Sequence, residues 1–108
     1  MSSVLDELYA VILDRKSNSG EGSYTGYLFE QGLDKILKKC GEETSEVIIA
    51  AKNGDEQALI GEIGDLVYHL MVLMIQSGIS LEALYALLED RRTQVGNLKP
   101  QYNKATTL

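Results

Sequence analysis

The 108-residue sequence has no tryptophan and one residue each of cysteine, proline, histidine and phenylalanine. The single thiol, Cys40, excludes an intramolecular disulfide and suits a reducing compartment. Positive charge is scarce: ten lysines and arginines against sixteen acids give a formal charge of −6. That balance argues against nucleic acid or an anionic membrane as the main partner, since either demands a basic face. The opening stretch MSSVLDELYAVILDRK lacks the basic start of a signal peptide. The longest apolar run, Leu66 to Ile75, has ten residues and contains His69, too short to span a bilayer. Strand alternation, internal repeats, low-complexity segments and a glycine-rich phosphate loop are all missing. These absences lead to an expected cytoplasmic protein with neither a nucleic-acid nor a membrane partner.

Hydrophobic residues make up 44% of the chain and charged residues 24%, which are globular values. The length favours one domain with a modest core. The expected domain covers residues 1–95, and residues 96–108, GNLKPQYNKATTL, read as a loose tail.

Helical periodicity dominates. Ser3 with Asp6 forms a capping box ahead of Leu5, Leu8, Tyr9, Ile12 and Leu13, in a helix expected to end near Lys16. A polar loop, KSNSGEGS, precedes YTGYLFEQG, which reads as a short helix capped by Ser23 and ended by Gly32. Leu33, Ile36, Leu37, Cys40, Thr44, Val47, Ile48 and Ala51 keep one face of the next helix, with Gly41 costing about 1 kcal/mol relative to alanine. Asn53-Gly54-Asp55 stops that helix and caps another, from about Glu56 to Gln76. The second half of that helix is apolar on every side, which implies burial on every side. A chain this short cannot cover it alone, so a helical homo-oligomer, dimer or tetramer, is expected, with Val67, Leu70, Met71 and Met74 at the interface. After QSGIS, Ser80 caps a last helix from Leu81 to about Gln94, with Leu84, Tyr85, Leu87 and Leu88 expected to face inward. The fold class is therefore all-α: an antiparallel helical bundle with a long central hairpin.

Within that hairpin lies a costly feature. Glu46 and Glu62 stand eight residues either side of Gly54, and Glu43 and Asp65 eleven either side. At 1.5 Å rise per residue the two levels lie roughly 12 and 16 Å from the turn. Glu46 is expected to face Glu62, and Glu43 to face Asp65, with each i, i+3 pair sharing a helix face. Four carboxylates on one patch repel, and partial burial raises the cost. Glu46, Glu62 and Asp65 have no lysine or arginine three or four residues away, and Glu43 has only Lys39. Relief comes from protonation or from a divalent cation, and hard oxygen ligands suit Mg²⁺ or Mn²⁺. A merely solvated acidic face is the alternative. Glu42 points about 100° away from Glu43 and has Lys38 to pair with.

Other residues stand close by in sequence. His69 follows Asp65 by one helical turn and either orients that carboxylate, touches a substrate, or is a hydrogen-bonded core residue. The sequence has no E-x-x-H pair, which weakens a di-iron reading. Lys39 either neutralises Glu43 or contacts phosphate. Cys40 reads as an inert buried thiol.

The pattern E-x-x-E, a spacer, then E-x-x-D resembles the signature of the all-α nucleoside triphosphate pyrophosphohydrolases. More narrowly, SYTGYLFEQGLDKILKKCGEETSEVIIAAKNGD followed by GDLVYHLMVLM is similar to the phosphoribosyl-ATP pyrophosphohydrolase family of histidine biosynthesis. The likeness covers about Leu5 to Arg92, with Cys40 where relatives often carry valine and Gly64 where they often carry alanine. It implies hydrolysis of 1-(5-phosphoribosyl)-ATP to 1-(5-phosphoribosyl)-AMP and pyrophosphate, with Mg²⁺ on Glu43, Glu46, Glu62 and Asp65. It also implies that Ser23, Tyr24 and Thr25 lie near the substrate. Two other readings stand beside it: a housecleaning nucleoside triphosphate pyrophosphohydrolase of the same superfamily, and a non-enzymatic helical interaction protein.

Overall fold

The computed structural model describes residues 3–18 and 20–94, and the expected tail at 96–108 lies outside them. Five helices follow one another: α1 Val4–Asn18, α2 Tyr24–Gln31, α3 Leu33–Asn53, α4 Glu56–Gln76 and α5 Leu81–Gln94. Among the described residues there is no strand. The local chemistry of the helix ends accounts for the boundaries. The Ser3 backbone N–H donates to the Asp6 carboxylate at 3.0 Å, and the Asp6 N–H donates back to the Ser3 hydroxyl at 3.1 Å, satisfying two orphan donors at the start of α1. Ser23, Asp55 and Ser80 accept in the same way from the N–H groups of Gly26, Ala58 and Ala83. Gly54 takes a left-handed conformation, φ 72°, which a side chain would strain, and it turns α3 back into α4.

The core gathers at the end of the hairpin remote from Gly54. Ile12 of α1, Leu28 of α2, Ile36 of α3, Met71, Val72 and Ile75 of α4 and Leu81 of α5 are buried together. Nearer the turn, only Ala50 is buried in α3. The hairpin thus has a packed base and a bare arm. On the arm, Ile48, Ile49, Ile60 and Ile63 are all exposed.

Two expectations about the apolar faces, those of α3 and α5, are corrected. Leu33, Leu37, Thr44, Ile48 and Ala51 are exposed, and the inward stripe of α3 is Ile36, Cys40, Glu43, Val47 and Ala50. The apolar face of α3 is wider than one neighbouring helix can cover, and α4 covers only one edge of it. In α5, Leu81 is buried and Leu84 and Tyr85 are partly so, but Leu87 and Leu88 are exposed, because α5 makes few contacts with the other helices and only its first turns are covered. In α4, Ile60, Ile63 and Leu70 are exposed, so this chain alone does not bury that helix all round. Met71, expected at an interface, is already in the chain's own core.

α4 has 21 residues, and an 18-residue window within it has a mean hydropathy of 1.7, so by length and composition it is long and apolar enough to cross a membrane. It also carries Glu62 and Asp65 and packs along α3 over much of its length.

Candidate active site

The site forms where the bare arm leaves the packed base. One carboxylate oxygen each from Glu43, Glu62 and Asp65 lie within 4.8 Å of one another. Glu43 and Glu62 are half-buried in the seam between α3 and α4, at positions where a helical pair ordinarily places apolar side chains. The geometry differs from two facing pairs. Across an antiparallel seam a side chain inserts between two residues of the facing helix, so Glu43 meets both Glu62 and Asp65. Glu46, one turn further along α3, is exposed and stands outside the group of three.

The electrostatics are those of a strained cluster. Burial, followed by the charges of Glu43, Asp65 and Glu46 and a hydrogen bond that the protonated Glu62 donates to Glu43, holds the Glu62 carboxyl above its usual range. Glu46 therefore acts on the cluster electrically from outside it. Lys39 is the neutralising cation: its ammonium lies 3.2 Å from Glu42 and 3.8 Å from Glu43. The hydrogen bond to Glu42 keeps the lysine above its ordinary pKa, against the opposing effect of burial. Glu42 thus pairs with Lys39, not with Lys38 as its spacing suggested, because Lys39 sits between the two acids.

Aromatic residues form the adjoining wall. His69 is 5% exposed and has both ring nitrogens engaged, Nδ1 to the Asp65 carbonyl at 2.7 Å and Nε2 to the Tyr24 hydroxyl at 3.0 Å. It touches the backbone of Asp65 and not its carboxylate. The Thr25 hydroxyl is hydrogen-bonded to that of Tyr68. Burial pushes the Tyr24 phenol pKa up, with Lys39 opposing and Tyr68, Glu43 and Glu42 adding to the rise, which places this ring beside the acids. Ser23 is spent on capping α2, and an open cleft lined by Gly20, Gly22, Ser23, Tyr24 and Tyr27 lies alongside. Of the residues singled out in the sequence, Glu43, Glu62 and Asp65 come together, Tyr24, Thr25, Lys39 and His69 border them, and Cys40 is half-buried with its thiol toward the His69 carbonyl at 3.5 Å. Tyr68 was not singled out in the sequence, although it lies in the stretch GDLVYHLMVLM that carries the resemblance, directly before His69.

The pKa of Glu62 has a measurable consequence. A carboxyl that holds its proton more tightly when folded makes the native state bind more protons than the unfolded one, so stability falls as pH rises. In chelator-treated protein the melting temperature is expected to drop as pH climbs above 4.5, the ordinary value for this group. Glu62→Gln flattens that slope. An identical slope in the variant, followed by thermal melts from about pH 4 to 7, rules out Glu62 as its source.

Comparison with known proteins identifies the family. The family model for phosphoribosyl-ATP pyrophosphohydrolase matches residues 5–92. A phosphoribosyl-ATP pyrophosphatase of Clostridium novyi (strain NT) is 56% identical over 101 residues, covering 94% of this chain and 92% of the relative. Another, of Clostridium botulinum (strain Kyoto / Type A2), is 60% identical over 98 residues, covering 91% and 89%. That of Streptococcus thermophilus (strain ATCC BAA-491 / LMD-9) is 50% identical over 95 residues, covering 88% and 91%. With a matched segment that runs from α1 through α5 and includes every carboxylate of the cluster, the chain belongs to the phosphoribosyl-ATP pyrophosphohydrolase family.

Proposed function

We infer that this chain hydrolyses 1-(5-phosphoribosyl)-ATP to 1-(5-phosphoribosyl)-AMP and pyrophosphate, a step of histidine biosynthesis carried out in the cytoplasm. The observation that supports it most is the family match over residues 5–92, which spans the acid cluster.

The donor set fits a hard divalent cation. Two ligands on opposite sides of Mg²⁺ lie about 4.2 Å apart, and the carboxylate oxygens of Glu43, Glu62 and Asp65 already lie within 4.8 Å of each other. These three, with Glu46 turning in from one helical turn away, would hold Mg²⁺ or Mn²⁺. A cation there offsets triphosphate charge and stabilises the leaving pyrophosphate. The chain's own part is to place water and substrate. The water oxygen bonds to the α-phosphorus, the bond from that phosphorus to the bridging oxygen breaks, and a carboxylate of the cluster takes the water's proton. Ser23 and Tyr24 shape the substrate side of the cleft, with Thr25 next to them. The direct test is pyrophosphate release with Mg²⁺ from phosphoribosyl-ATP, ATP and dUTP. Preference for phosphoribosyl-ATP is expected, and release from dUTP alone would assign the chain to nucleotide housecleaning.

The reading includes a homo-oligomer, dimer or tetramer. Among the described residues, sixteen large apolar or tyrosine side chains are exposed against eight buried apolar ones. An apolar groove of about 200 Å³ is bounded by Val67, Leu70, Met71 and Met74 of α4, with Leu5 and Leu84 at its edges. A second copy of this chain is the occupant that would cover the bare arm and this groove together.

A further inference from the structure

We propose that His69 is a positioning residue: with Tyr68 it clamps the first turn of α2 onto the turn of α4 that carries Asp65, and the Tyr24 hydroxyl serves this clamp rather than the substrate. The proposal rests on the acid cluster being the reaction site, as inferred above.

His69 is the one buried polar residue among those described. A carbonyl oxygen only accepts, so the 2.7 Å contact to Asp65 places the proton of the uncharged ring on Nδ1. Nε2 is left with its lone pair and accepts from the Tyr24 hydroxyl at 3.0 Å. The ring is therefore fixed in tautomer and orientation by two elements at once. The rings of Tyr24 and Tyr68 both stand nearly perpendicular to it, with ring centres 5.8 and 4.9 Å away. One residue earlier on α4, Tyr68 bonds the Thr25 hydroxyl. Consecutive residues of α4 thus hold consecutive residues of α2.

The clamp matters because little else fixes this end of α2. The helix has eight residues and one buried side chain, Leu28, at its middle. At its start Tyr24 is exposed and Thr25 and Gly26 only half-buried. Polar tethers, not apolar burial, therefore set how far the cleft at Gly20–Ser23 lies from Asp65 and Glu62. On this proposal the hydroxyl of Tyr24, a residue that the resemblance places near the substrate, is committed within the protein.

The test separates the two bonds of the imidazole. His69→Asn offers a donor near the Nδ1 position and no acceptor for Tyr24. His69→Gln offers an acceptor near the Nε2 position and no bond to Asp65. Tyr24→Phe removes the hydroxyl alone. Tyr24→Phe and His69→Asn are expected to raise KM for phosphoribosyl-ATP by a similar factor, about tenfold, with kcat within about threefold. The double variant is no worse than either single, since both remove one bond. His69→Gln recovers most of the loss. If the double variant shows the product of the two single effects, Tyr24 meets the substrate on its own and the proposal fails. Lower melting temperatures with unchanged KM mean a purely structural role, and also overturn it. A readout without substrate keeps the functional reading separate. The chain has one histidine, so its imidazole ¹⁵N spectrum belongs to His69 alone. The Nδ1–H tautomer is expected, with the Nε2 resonance moving in Tyr24→Phe. An Nε2–H tautomer in the wild type refutes the clamp, whereas the expected tautomer without phosphoribosyl-ATP turnover refutes only the assigned reaction.

Discussion

Glu46→Gln and Glu62→Gln are each expected to lower pyrophosphate release by about 100-fold or more, the scale seen when a group stabilising transition-state charge is removed. Neither variant unfolds the metal-free protein. Each removes one charge from a cluster in which Glu62 already holds its proton too tightly, so metal-free stability holds or rises. Added Mg²⁺ acts in the opposite sense. A ligand that binds only the folded state stabilises it by mass action, so the wild type gains melting temperature and the variants gain less. A solvated acidic face predicts near-normal turnover and changes within about ±0.5 kcal/mol. The comparison of Glu46 with Glu62 is informative in itself, because Glu46 stands outside the group of three. If Glu46→Gln alone keeps wild-type turnover at saturating Mg²⁺, the reaction site is a triad. If both variants keep it, the metal site is wrong.

The second large effect concerns assembly. Leu70 is 42% exposed on the single chain and borders the apolar groove of α4. On a monomer, Leu70→Glu changes an exposed position and alters stability within about ±0.5 kcal/mol. At a subunit interface it buries an unpaired charge, a cost of several kcal/mol per protomer, which weakens association by roughly a thousandfold. Sedimentation is expected to give an oligomer for the wild type and a folded monomer for Leu70→Glu at micromolar concentration. A compact, folded wild-type monomer under those conditions overturns the homo-oligomer.

Much of this structure was legible in the residues because local chemistry decides it. Ser3 with Asp6, Ser23, Asp55 and Ser80 marked the helix starts, and Gly32 and Gly54 marked ends, each through hydrogen bonds made within a few residues. The α3–α4 hairpin followed from Gly54 alone, and the meeting of Glu43 with Asp65 followed from counting outward from it. What counting could not give was the offset of the seam. It pairs residues one to one, whereas packed helices interleave, and that difference brings Glu43 against Glu62 and leaves Glu46 aside. Which edge of α3 turned inward was also hidden, since Ile36 and Leu37 are equally apolar and only tertiary contact buries the first and exposes the second. The engagement of His69 with the Asp65 backbone was equally out of reach, because sequence spacing places a side chain near a residue without choosing between its carboxylate and its carbonyl.

The composition of α4 bears on how the chain is made. To the translocon, a 21-residue helix holding an 18-residue window of mean hydropathy 1.7 resembles a segment for export or anchoring. Asp65 stands close to its midpoint, where an aspartate opposes entry into the bilayer by about 2.5–3.5 kcal/mol. Glu62, one turn earlier, adds to that penalty. The carboxylates of the cluster thus oppose lateral release of the nascent helix into lipid before its apolar flanks find cover.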